Sequence, residues 1–211
     1  MPLEATHIKF ALDLKSKYQV QNLEKYLSGT IYPDSRYISK IERILTHGEL
    51  DDISTNKNQD FQNGWEAHLL CDKICNQVIN ETLPELFIGI GPPGQGTEQW
   101  IIKSAIKGII DMEIYREFNP NPYLAMVDYF ISPNGESAEI IKEYNQIIKE
   151  MYFGKKEITI RDIGEMWLKF SGEPETIEKI NTKTEQLMKN KIIKTKINSL
   201  YGEIVKRCLY D

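Results

Sequence analysis

Residues 59–82 read QDFQNGWEAHLLCDKICNQVINET, and in them Phe61, Trp65, His68, Leu69, Asp72, Cys75, Val78 and Ile79 recur every three or four positions. That period predicts a long helix with one buried face, since about 3.6 residues complete a turn. Pro84 closes the pattern, because its ring cannot sit inside a continuing helix. The same period returns on either side. Toward the amino terminus it predicts helices over 5–15, 21–28 and 36–46. The second is expected to end at Gly29, with residues 30–34 non-helical because Tyr32 precedes Pro33, which leaves Asp34 in a loop. Toward the carboxyl terminus it predicts helices over 97–118, 122–131, 136–152 and 159–170, then one long or kinked helix over 175–209. Glycine and proline clusters punctuate the chain at 89–96 (GIGPPGQG), 119–122, 133–135 and 171–174. No alternating strand pattern runs longer than residues 157–160. The fold class is therefore all-α, with a helical domain over 1–172 and a C-terminal helix over 173–211 that packs on it or extends from it.

The composition suits this. Of 211 residues, 41% are hydrophobic and 27% charged, a globular profile rather than a disordered one. The net charge of -5 opposes broad binding to nucleic acid or an anionic membrane, both of which need a positive surface. The lysines between 189 and 196 read as a solvated helix face. Cys71, Cys75 and Cys208 show no disulfide-framework spacing, which favours a reducing compartment. With no leader and no membrane-spanning apolar stretch in view, the expectation is a cytoplasmic protein.

Three histidines, all in the first third, are where chemistry concentrates. His68 and Asp72 stand four apart on the long helix and so project from one face, a spacing that suits two ligands to one ion. A carboxylate on an apolar helix face is costly unless paired or bound to a cation. His7 falls on the inward side of the first helix, and His47 at the end of the third. Asp34 follows Pro33, whose locked φ fixes its position. Imidazole with carboxylate favours zinc, then iron or manganese, over a calcium site.

The opening MPLEATH, the segment GTIYPDSRY, Thr46-His47 and GWEAHLLCD, in this order and spacing, resemble the zinc-dependent phospholipase C and S1/P1-nuclease-like proteins, in particular small cytoplasmic relatives of bacterial phospholipase C. The likeness covers roughly residues 1–85. It implies a phospholipase C-like helical bundle in which Asp34, His47, His68 and Asp72 hold one ion while Asp72 bridges toward a second near His7. Secreted members complete a three-metal site with later histidines; this chain has none after His68, so one or two ions are expected. HD-type phosphohydrolases use a late helical aspartate, a more distant likeness that brings in Asp111 on the helix 97–118 as a further candidate ligand.

A divalent ion lowers the pKa of bound water and neutralises phosphoryl charge, so the expected activity is hydrolysis of a small phosphoester. Arg36 is the candidate phosphate clamp, through its planar fork. Asp51 and Asp52, in the polar loop after His47, are candidate bases. The alternative is a non-catalytic helical module that keeps the metal for stability or for binding a partner. Cys71 and Cys75 read as apolar filler and Trp65 as core. GIGPPGQG lacks the ending of a phosphate loop and reads as a linker or lid.

Overall fold

A computed structural model of the protein describes residues 3–48, 59–170 and 172–210. All regular elements among them are helical, in the order α1 (Glu4–Leu14), α2 (Leu23–Ile31), a 3₁₀ turn (Tyr32–Ser35), α3 (Arg36–Ser39), α4 (Arg43–His47), α5 (Gln59–Thr82), a second 3₁₀ turn (Pro84–Phe87), α6 (Glu98–Glu117), α7 (Asn121–Leu124), α8 (Ala138–Tyr152), α9 (Ile160–Lys169), α10 (Pro174–Lys189) and α11 (Lys191–Tyr210). The fold is all-α, as the periodicity predicts.

Helix α5 is the axis. Its apolar face meets α2 on one side, α1 on another and α11 along its second half. The α2–α5 crossing is close because two glycines face it. A Cβ on Gly64 would stand 1.9 Å from the carbonyl oxygen of Tyr26, and one on Gly29 would stand 2.0 Å from that of Phe61. Helix α6 packs against α1, α10 and α11, with α9 leaning on α6 and α10. One apolar core runs from Leu3 through Cys208, so α10 and α11 share it with the preceding helices. A smaller cluster of Tyr32, Phe61, Trp65 and Ile141 sits beside it.

Three expected elements take a different form, and the C-terminal helix takes its kinked one. Helix α2 does not stop at Gly29; it continues to Ile31 and passes into the 3₁₀ turn, so Asp34 lies in a helical turn rather than a loop. Packing of Tyr32 on Phe61 and Trp65 overrides the preference its proline neighbour imposes. The single helix expected over 36–46 is two short ones, broken where Lys40 adopts a left-handed conformation (φ 60°) and folds its ammonium onto the carbonyl of Tyr37 at 2.7 Å. Ile44 and Leu45, apolar residues of that expected helix, are 64% and 52% exposed. The stretch 122–131 is helical only to Leu124, because its later backbone is committed to tertiary partners: the amide of Tyr129 donates to Ser28 Oγ, and Asn145 donates to the carbonyl of Val127. The C-terminal helix is interrupted at Asn190, whose Oδ1 accepts from the amides of Ile192 and Ile193 and so starts α11 anew.

Candidate metal centre

The α2–α5 crossing and the turn after α2 bring four of the predicted ligands together. Asp34, on the 3₁₀ turn, points inward and is 1% exposed. From α5 comes His68, also 1% exposed. At the end of α4, the chain turned back by Lys40 delivers His47. One turn of α5 beyond His68 lies Asp72. The fifth, His7 of α1, stacks face to face on His68, with ring centroids 4.0 Å apart and planes 13° from parallel.

Hydrogen bonds at the outer nitrogens orient the two inner rings. His68 Nδ1 donates to the carbonyl of Thr30 at 2.8 Å, which turns its Nε2 lone pair inward. Thr46 Oγ1 lies 2.9 Å from His47 Nδ1 and 3.4 Å from the carbonyl of Arg43, a hydroxyl that holds the ring through its outer nitrogen. The two Nε2 atoms face each other at 3.3 Å. Asp34 completes the cluster, with Oδ1 3.4 Å from His47 Nε2 and Oδ2 3.7 Å from His68 Nε2. Neither oxygen of this buried carboxylate has a hydrogen-bond partner among the described residues. A buried carboxylate without a donor, beside two imidazole nitrogens, is costly to hold ionised, and a cation removes that cost. A tetrahedral ion with bonds of ~2.0–2.1 Å holds its donors ~3.3–3.4 Å apart, the spacing found here. Donor atoms of His7, Asp34 and His68 lie within 4.8 Å of one another, as do those of His47, His68 and Asp72.

The protonation states suit ligands. Burial, reinforced by the neighbouring His7, pushes His68 well below its ordinary value and keeps it neutral. Burial likewise drops His7 from 6.5 to about 4, against the pull of Asp72 and Asp34. At Asp34 burial disfavours the charge, and only positive charge beside it, on the His68 and His47 rings or on a bound cation, holds the carboxyl below the usual carboxylate range. Asp72 is ion-paired to Lys107 of α6, Oδ1 to Nζ 2.6 Å. Burial disfavours both charges of that pair; their attraction prevails, holding Asp72 low and Lys107 high.

The remaining expectations divide. Asp111 is fully buried but stands apart from both convergent groups. Its Oδ1 accepts from the amide and hydroxyl of Thr6 and its Oδ2 from the hydroxyl of Tyr152, so its lone pairs serve to anchor α1. Arg36 faces a cavity rather than a carboxylate, its guanidinium lying 4.3 Å over the ring of Tyr37. Asp51 and Asp52 lie outside the described residues. Cys71 and Cys75 are buried, burial keeps both thiols protonated, and neither belongs to a convergent group among the described residues.

Sequence reasoning gave no role to Glu4, Thr30, Thr46 or Lys107. Glu4 is 1% exposed and accepts from the hydroxyl of Tyr144 at 2.7 Å, a second carboxylate that fixes α1 and therefore His7. Lys107 had a legible signal: a lysine amid Ile106, Ile109 and Ile110 must find a buried acid. Thr30 had none, because it contributes a main-chain carbonyl.

Asp72 and Lys107 also line a cavity of about 790 Å³ between α3, α6 and the start of α10. Through Asp72 the cluster borders a space of ligand size, which Asp34, His47, His68 and His7 do not line. Among the described residues, no helix is long and apolar enough to cross a membrane. Comparison with family models, curated proteins and solved structures finds no match for this chain.

Proposed function

We propose that the protein is a metal-dependent hydrolase of soluble, cytoplasmic phosphoesters, holding one or two divalent ions, zinc first among them. The observation that carries this reading is the pair of Nε2 atoms 3.3 Å apart beside an Asp34 carboxylate with no hydrogen-bond donor among the described residues. Asp34, His47 and His68 would hold the first ion, with Asp72 and His7 completing its shell or reaching a second. The likeness to zinc-dependent phospholipase C-like proteins names the same five residues. When bound, the ion would supply a water acidified toward neutral pH and a positive charge for the phosphoryl oxygens.

The chain's own residues do the rest. Thr30 and Thr46 hold the two rings through their outer nitrogens, which orients the inward ones. Lys107 keeps Asp72 ionised and in place. Arg36, free of any carboxylate partner among the described residues, is positioned to take a phosphate oxygen at the cavity wall. A purely structural site would be closed by protein ligands, whereas Asp72 faces an open cavity, which favours catalysis over the scaffold alternative.

The test is hydrolysis of a panel of phosphomonoesters, phosphodiesters and nucleotides by zinc-, manganese- or iron-loaded protein. Turnover that disappears in His68→Ala and on chelation supports the proposal. Metal-loaded wild type with no turnover on any member, or turnover that His68→Ala retains, would defeat it.

A further inference from the structure

The cavity beside the cluster has a charge that the rest of the molecule does not. The chain carries 31 acidic against 26 basic residues. Around the cavity the balance reverses: Arg36, Lys40, Arg43, Lys103 and Lys107 line it, against Asp72 and Glu173 alone. Lys107 is neutralised by Asp72. The other four cations have no carboxylate partner among the described residues. Elsewhere surface cations commonly find one: Lys149 pairs with Asp128, Lys169 with Glu150, Lys196 with Glu85 and Arg207 with Glu81.

The arrangement is built by two opposed elements. Trp100, Lys103, Ser104 and Lys107 stand at i, i+3, i+4 and i+7 of α6, one face of one helix. Lys103 and Lys107 are therefore neighbours of like charge, and burial together with Lys107 depresses the Lys103 ammonium. Asp72 already answers Lys107, which leaves Lys103 as the α6 cation without a carboxylate partner among the described residues. Opposite lie Arg36, Lys40 and Arg43 from the broken α3–α4 segment, the same break that delivers His47. The 20-residue α6 and the 16-residue α10 both begin at the cavity wall, through Gly94–Gly96 and Glu173–Thr176. No side chain caps the start of α10, so its first amides and the positive end of its dipole remain available to an anion.

We infer that the cavity is a second anion subsite, which binds a further anionic group of a substrate whose reacting phosphoester sits at the Asp34, His47 and His68 gap. The ligand class is a soluble polyanionic phosphate ester, one with at least two phosphate-type groups. Arg36, Lys40, Arg43 and Lys103 take the second group, and Trp100 and Tyr37 offer flat surface to whatever joins the two. This subsite deepens the hydrolase reading and rests on it for the position of the reacting group.

The experiment is calorimetric titration of the full-length chain with tripolyphosphate and, separately, with orthophosphate, at low and at raised salt. It is run on protein freed of metal and on the His68→Ala variant, so that it reads the cavity alone. Tripolyphosphate should bind both preparations, more tightly than orthophosphate, with affinity falling as salt rises. Arg43→Ala combined with Lys103→Ala, at an exposed and a half-buried side chain, should weaken it roughly tenfold or more. Arg36→Gln should weaken it independently. The inference is overturned if tripolyphosphate fails to bind at low salt, binds no better than orthophosphate, or binds both variants as it binds wild type. Binding without any hydrolysis would sink the catalytic proposal and leave the subsite standing; hydrolysis without polyanion selectivity would do the reverse.

Discussion

Asp34 is the residue on which the site turns. A buried carboxylate that accepts no hydrogen bond is a liability in metal-free protein, and a ligand in metal-bound protein. Two opposite effects of one substitution follow. In chelated protein, Asp34→Asn removes a buried charge that has no hydrogen-bond donor among the described residues and should raise stability to urea by ~1–3 kcal/mol. In metal-supplemented protein it should abolish the stabilisation by zinc expected of wild type. Parallel urea curves with and without metal check both; an Asn variant less stable than wild type in chelator contradicts the account. Thr46→Val removes the hydroxyl that holds His47 Nδ1 and leaves the ring in place, so zinc affinity should fall by ~10–100-fold, read by competition with a chromogenic chelator. All five ligand candidates were legible in the sequence because imidazole and carboxylate on apolar faces have few uses. The residues that orient them were not, since Thr30 acts through its main chain and Thr46 through a neighbour. Asp111 shows the converse: a buried aspartate on a helix looks like a ligand until Thr6 and Tyr152 are seen to occupy it.

At the scale of elements, the long helices α5, α6 and α8 follow their apolar period closely, because burying one stripe is most of what stabilises them. Short elements escaped. The break at Lys40 and the early end of α7 depend on individual hydrogen bonds with partners distant in sequence or hidden in a turn, which no local pattern carries. The α2–α5 crossing joins the two scales, since the GW of GWEAHLLCD is there so that a backbone can approach: Gly64 lies four residues before His68. Gly64→Ala pushes a methyl into the Tyr26 carbonyl, so α2 must move and Thr30 with it. A loss of ~3 kcal/mol or more is expected from overpacking this severe. Metal affinity should weaken as well, because His68 loses its fixed acceptor. Retained stability by chemical denaturation would show that the crossing is looser than described.

Over the whole molecule, buried ionisable groups couple stability to pH. His7, pushed by burial from 6.5 to about 4, binds its proton less readily folded than unfolded. Its contribution is present above about 6.5 and is lost as pH falls through about 4, a difference of ~3 kcal/mol from a shift of ~2.5 units. Metal-free protein should therefore lose resistance to urea across that window, and His7→Gln should flatten the loss. A flat wild-type profile would mean that His7 is not desolvated.

The same five side chains make one claim about the molecule as a whole, that they enclose a divalent ion. Elemental analysis of protein purified without chelator or affinity metal, paired with zinc titration of His68→Ala and Asp111→Asn, tests it most directly. The account predicts one or two equivalents of a transition metal in wild type, retention in Asp111→Asn and loss in His68→Ala. Metal-free wild type that zinc neither binds nor stabilises, or equal binding by the His68 variant, would contradict it.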